Sequence, residues 1–181
     1  MKRIRPIIIG TLAATLLGAF MARAGEDAEG SEHRGDRYTE RRTVSAPVDP
    51  TYQAECGSCH MSYPPGLLPE RSWVKMMAGL KDHFGENATL DKESADKIGT
   101  FLTENAADRS LFRRSQKIAK SIPSSESPLR ITDTKYFKRQ HHEVGQKIWS
   151  RKAIGSPANC AACHSRAEKG VFSEDEVRIP R

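Results

Sequence analysis

The chain has no cysteine outside two short motifs. Its four cysteines stand in pairs, Cys56 with Cys59 and Cys160 with Cys163, in 181 residues. That leaves none for a structural disulfide, the framework expected of many small exported proteins. Apolar residues make up 37% of the chain and aromatics 7%. So polar a chain is poorly supplied with side chains for a core of its own. No alternating apolar pattern marks a strand, so sheet is not expected. Only residues 7–21 form a long uncharged stretch, and nothing after them is expected to cross a bilayer.

That stretch reads as the centre of an export signal. Lys2, Arg3 and Arg5 precede it, and Ala22-Arg23-Ala24 gives the small-x-small pattern of a signal-peptidase site. The competing reading is an uncleaved anchor helix, for which 15 apolar residues are short. Residues 1–24 are therefore expected to be removed, leaving a soluble protein in the periplasm. Removal takes Lys2, Arg3, Arg5 and Arg23, which lowers the formal charge from +6 to +2.

The two cysteine pairs belong to Cys56-Gly57-Ser58-Cys59-His60 and Cys160-Ala161-Ala162-Cys163-His164. This pattern is the signature of covalent haem attachment. Two thiols on one helical turn reach the two vinyl groups of one porphyrin, and the adjoining imidazole is carried beneath the ring to the iron. Two covalent haem c groups are expected, with Cys56, Cys59, Cys160 and Cys163 as thioether residues and His60 and His164 as proximal ligands. A zinc site built from both pairs is the alternative. The pairs are 104 residues apart, far beyond the spacing of zinc modules. A thioredoxin-type redox pair needs one motif in a βαβ setting, which is lacking here. Haem propionates would turn the small positive charge slightly negative, so nucleic-acid binding is dropped.

Residues 25–50 are dense in charge of both signs and read as a flexible polar leader, in which His33 is solvated. Residues 51–122 are assigned to an N-terminal lobe around the first haem. In it Tyr63, Leu67 and Leu68 are candidates for packing on the porphyrin, and Pro64, Pro65, Gly66 and Pro69 force an extended path. The spacing predicts a helix from Glu70 to about Phe84, with Trp73, Met76, Met77, Leu80 and Phe84 on one face. His83 lies about 20° from Met76 on that helix, at the edge of the apolar stripe. Met76 and Met77 read as core filler. Asp91 caps a second predicted helix carrying Ala95, Ile98, Leu102 and Ala106. Residues 108–122 predict a third, with Leu111, Phe112 and Ile118 on it and a solvated basic side.

Residues 123–181 are assigned to a linker, over 123–128, and a C-terminal lobe around the second haem. Thr132-Asp133-Thr134 caps a predicted short helix running to about Val144 and ended by Gly145. His141 shares the face of Phe137 and Val144, whereas His142 is turned by about 100°. Ile148 and Trp149 add bulk for the second haem. Asn159 is expected to cap the helix of the second motif, and Gly170 to end it. The fold class expected is mostly α with extensive loop, in two small lobes that each pack a C-x-x-C-H helix around a covalent haem.

Six histidines are present. With His60 and His164 proximal, His33 in the leader and His142 facing away, His83 and His141 remain as distal ligands. Each is 23 positions from the nearer motif histidine. Local pairing closes the shorter loops, and crossed pairing is the alternative. Two imidazoles per iron leave no open position and favour electron transfer, and the lack of methionine ligation predicts low potentials.

Taken together, these residues resemble the soluble dihaem cytochrome c family found with a small oxygen-binding monohaem cytochrome and a membrane b-type cytochrome. The resemblance covers most of residues 55–181. It rests on Glu55 to Met61, on Tyr63-Pro64-Pro65-Gly66-Leu67-Leu68-Pro69, on Arg71-Ser72-Trp73 and on His83-Phe84-Gly85. It continues through Arg130-Ile131-Thr132-Asp133-Thr134, Tyr136-Phe137, His141 with Glu143, Ala158 to His164, and Val177-Arg178-Ile179-Pro180. It implies two closely spaced bis-histidine haems and electron transfer to a partner cytochrome, so no catalytic residue is expected. A small dihaem peroxidase and a haem-based sensor are the alternatives. The first needs an open iron with an acid–base residue beside it, the second a ligand displaced by gas.

Overall fold

Asp49 sets the first helix. Its carboxylate accepts a 2.7 Å hydrogen bond from the Tyr52 backbone N–H, and Pro50 follows at the first helical position, where a missing N–H costs nothing. The computed structural model describes residues 43–181. The expected signal over residues 1–24, and the leader as far as residue 42 with His33 in it, lie outside the described residues. Among the described residues the α-helices are α1 (Pro50–Cys56), α2 (Glu70–Ala78), α3 (Lys92–Glu104), α4 (Arg113–Lys120), α5 (Lys135–Gln140) and α6 (Gln146–Trp149). Short 3-10 turns join them. Extended pairing is confined, among those residues, to isolated bridges Thr43–Val171, His83–Glu86 and His164–Val177.

Asp91 caps α3 as expected, its side chain accepting from the Ser94 N–H. The predicted apolar face is the buried one, with Ile98, Leu102 and Ala106 at 2% exposure or less. It packs on α2, and these residues form one core with Tyr52, Leu68 and Trp73. The Trp73 indole N–H donates to the Pro65 carbonyl at 2.8 Å. The proline-rich stretch is thereby folded onto α2, with Pro65–Leu67 as a 3-10 turn rather than a fully extended path.

A second core joins Val44, Leu67, Ala107, Ile118 and Ile122, with Ile131, Tyr136 and Phe172 packed against it. It draws on both sides of residues 123–128. Arg71 straps that connection down, donating to the carbonyls of Ile122, Pro123 and Glu126 at 3.2, 2.9 and 2.6 Å.

Several sequence expectations need correction. Residues 43–45 are not solvated leader: Val44 is 1% exposed, its N–H donating to the Gly170 carbonyl, and the Ser45 N–H donates to the Ser115 hydroxyl. Two glycines make room for this segment. A Cβ on Gly66 would collide with Ser45 and Ser115, and Gly170, with φ +71°, would place one 2.6 Å from the Val44 carbonyl. Gly170, expected to end the helix of the second motif, instead closes a separate 3-10 turn, Ala167–Lys169, because the motif's own turn already ends at Ala162. Second, α2 stops at Gly79, and His83 follows a separate 3-10 turn, Leu80–Asp82. Phe84 is half-exposed and adopts φ +57°, so it is no part of a helical stripe. Third, the helix predicted over residues 108–122 contracts to α4, leaving Leu111 86% exposed. Fourth, the helix expected to reach Val144 ends at Gln140 with His141 as its C-cap, and Gly145 precedes α6 instead of ending α5.

Leu102→Ala should lower the unfolding free energy by about 2–5 kcal/mol, because a fully enclosed site can only partly collapse. Leu111→Ala should change it by less than about 0.5 kcal/mol. Denaturant titration of the two variants checks the ranking.

Candidate haem centres

The first motif begins where a helix ends. Cys56 is the last residue of α1, and Gly57 closes it with an N–H to the Gln53 carbonyl at 3.0 Å. Cys59 and His60 lie in the turn that follows. His60 Nδ1 sits 2.8 Å from the Met61 carbonyl, which can only accept, so Nδ1 carries the proton and Nε2 keeps its lone pair.

His83 comes to His60 on a tight reversal. Its N–H donates to the Glu86 carbonyl at 2.7 Å, the Glu86 N–H returns the bond at 3.2 Å, and Asp82 caps the Gly85 N–H. The left-handed Phe84 and Gly85 are what turn the chain. The two imidazole centroids are 6.2 Å apart, with their planes 26° from parallel. Burial lowers the His83 pKa, with the nearby His60 and Arg130 charges adding to it, and so favours the neutral ring that metal binding needs.

The second motif is a 3-10 turn, Cys160–Ala162, with the His164 N–H bonded to the Cys160 carbonyl at 2.8 Å. Asn159 does not cap it through its side chain as expected; that amide donates to the Ile154 carbonyl. His141 projects from the end of α5, its Nδ1 2.9 Å from the Phe137 carbonyl and its ring stacked on Phe137 at 4.0 Å. Its centroid lies 6.2 Å from that of His164, with the planes at 85°. His142 is turned away: its Nδ1 meets the Arg139 carbonyl and its Nε2 faces Glu143 at 3.8 Å. Burial lowers the pKa of both His141 and His164. One asymmetry stands out among the ligand candidates, since His164 Nδ1 is buried with no hydrogen-bond partner.

These pairs fit a haem iron. Two metal–imidazole bonds of about 2 Å in line, plus the half-width of each ring, span about 6 Å between ring centroids. Burial pushes the thiols of Cys56 and Cys160 up to about 11. Among the described residues no three His, Cys, Asp or Glu side chains gather around a point that could hold a metal ion.

Residues 52–172 match the family model described as dihaem cytochrome c. The chain belongs to that family. Solved structures agree. The diheme cytochrome c from Rhodobacter sphaeroides is 44% identical, with a TM-score of 0.63, over 71% of this chain and 99% of that one. A second structure of the protein purified from that organism gives 41% identity and a TM-score of 0.57 over 70% and 99%. The diheme cytochrome from Shewanella baltica OS155 gives 37% and 0.60 over 74% and 94%. No curated protein matches significantly. The chain is thus a helical dihaem c-type cytochrome with two haem c groups, and among its described residues no helix is long and apolar enough to cross a membrane.

Sequence reading picked Tyr63 for packing but not its hydrogen bond, and it missed Phe172 and Arg130 as neighbours of the ligand candidates. Phe172 lies 5.3 Å from the His164 ring, Arg130 covers the Phe84 ring at 4.0 Å beside His83, and the Tyr63 hydroxyl reaches Ala158. The Tyr63 and Arg130 contacts join segments far apart in the chain, and Phe172 stands in a loop with no periodicity to place it.

His83→Ala and His141→Ala should each leave one haem high-spin, whereas His142→Ala should leave both low-spin, as read by EPR of the oxidised protein. The wild-type spectrum should also contain two distinct low-spin species, because near-parallel and near-perpendicular imidazole planes split the iron orbitals differently. Two identical signals would contradict the ring geometry.

Proposed function

We propose that this cytochrome is a low-potential periplasmic electron carrier, taking electrons from a membrane b-type cytochrome and passing them to a soluble monohaem cytochrome. The observation that carries the reading is the pair of 6.2 Å imidazole spacings. In this reading His60 with His83, and His141 with His164, would take the ligand positions of the two irons. Cys56, Cys59, Cys160 and Cys163 hold the porphyrins covalently. The bound haem supplies reversible one-electron chemistry.

The chain's own residues keep those positions filled. Carbonyls of Met61 and Phe137 hold the protons of His60 and His141 on Nδ1, which aims Nε2 and raises its basicity. Phe137 stacked on His141, and Tyr63 at 4.9 Å from His60, restrict the rings further. No methionine sulfur enters either pair, and this supports low potentials. The export pattern over residues 1–24 supports the compartment, and the family resemblance supports the partners.

The oxidised protein should lack the near-infrared methionine charge-transfer band, and the reduced protein should not bind carbon monoxide readily. Ready binding at one reduced haem would favour a peroxidase-like enzyme or a gas sensor instead. N-terminal sequencing of the exported protein should begin at Gly25.

A further inference from the structure

Tyr63 touches both motifs. Its ring centroid lies 4.9 Å from that of His60, three residues before it. Its hydroxyl donates a 2.8 Å hydrogen bond to the Ala158 carbonyl, 95 residues away and two before Cys160. Its own carbonyl accepts from the Tyr52 hydroxyl at 2.9 Å, which ties it to a residue 6% exposed in the main core. Pro64 and Pro65 follow directly, fixing the backbone on its C-terminal side. A phenol has few rotatable bonds, so with three fixed points it acts as a rigid spacer.

We infer that Tyr63 is a positioning residue that sets the second haem-binding motif at a fixed distance and angle from the first. The contact is well placed for this. Among the described residues the backbone hydrogen bonds of the second motif itself stay in the C-terminal half, from Cys160 to Ala158, Ala162 to Asn159, Cys163 and His164 to Cys160, Ala167 to His164, and Arg178 to Cys163. The Asn159 amide likewise turns to Ile154 in its own segment. Among the described residues the bond from Tyr63 is a direct polar link from the N-terminal motif segment to the approach of the other. The inference rests on the assignment of one haem to each motif, and not on which proteins exchange electrons with them.

The test is Soret circular dichroism of the dihaem protein, because the couplet produced by two interacting porphyrins depends on their separation and mutual angle. Tyr63→Phe keeps the ring against His60 and removes only the donor to Ala158. The expected result is a diminished or inverted couplet, with both haems bound and both low-spin by EPR. Tyr52→Phe removes one of the three fixed points but keeps the bond to Ala158, so it should lower thermal stability and change the couplet less than Tyr63→Phe does. Should Tyr63→Phe fail to accumulate with two haems, Tyr63→Trp changes the length of the strut while keeping a ring and a donor, and an altered couplet is again expected. An unchanged couplet in a dihaem Tyr63 variant overturns the inference. A high-spin signal in the unsubstituted protein would instead count against the ligand assignment, so the two failures are told apart.

Discussion

Ligation of one iron by two imidazoles demands two nitrogens that face each other across about 4 Å. Neither ring can set that distance alone, because a histidine side chain on free backbone has many orientations to lose. Under the proposed ligation the rest of the fold is the means of meeting this condition twice. On the N-terminal side a reversal does it: the two bonds between His83 and Glu86, the Asp82 cap and the positive φ of Phe84 and Gly85 fix one ring relative to the end of α2. A non-glycine residue in the left-handed region costs of order 1 kcal/mol, and such strain persists where the surroundings over-determine it. Here it stands beside a proposed ligand. On the C-terminal side a helix end does the same work, with the Phe137 carbonyl and ring together orienting His141.

Those devices need a frame, and the frame is closed by a segment with no chemistry of its own. Residues 43–45 lie between the Pro65–Leu67 turn, α4 and the chain near Gly170, bonded to each. Their fit depends on two positions without a side chain, Gly66 and Gly170, which come from opposite ends of the folded region. The second core, with Phe172 packed against it, therefore draws the chain beyond the second motif onto the N-terminal helices. Phe172 also meets the His164 ring, so the same closure bears on the second haem centre.

What was legible in the chain was local. The cysteine motifs, the Asp91 and Thr134 caps, and the buried face of Ile98, Leu102 and Ala106 are each decided within a few residues. Periodicity led to His83 by a route the structure does not use. Apolar residues continue in helical register through Gly79, but the bridge to Glu86 offers the backbone a competing set of bonds, and the helix ends first. The face argument for His141 fared better, because one turn of α5 remains intact before it and carries Phe137 into place. The burial of Val44 was invisible for another reason. One valine amid polar residues has no pattern, and its partners are spread along the chain from Leu67 to Gly170.

The two halves differ in how much they owe to the cofactor. Core residues Tyr52, Leu68, Trp73, Ile98 and Leu102 give the N-terminal helices an apolar centre made of protein. Helices α5 and α6, of six and four residues, bury no residue in polypeptide alone. Helices so short are unstable unless something packs on them. Thr134 caps α5, Tyr136 rests against the second core, and Phe137, His141 and Trp149 form a small aromatic cluster, but these contacts are a thin substitute for a core of its own. Covalent attachment through Cys160 and Cys163 brings a large rigid apolar plate to this region, and a bond from iron to His141 would anchor α5 directly. Order in the second half is therefore coupled to haem insertion far more tightly than order in the first. The low apolar content of the chain is then no deficit, because part of the core arrives with the cofactor.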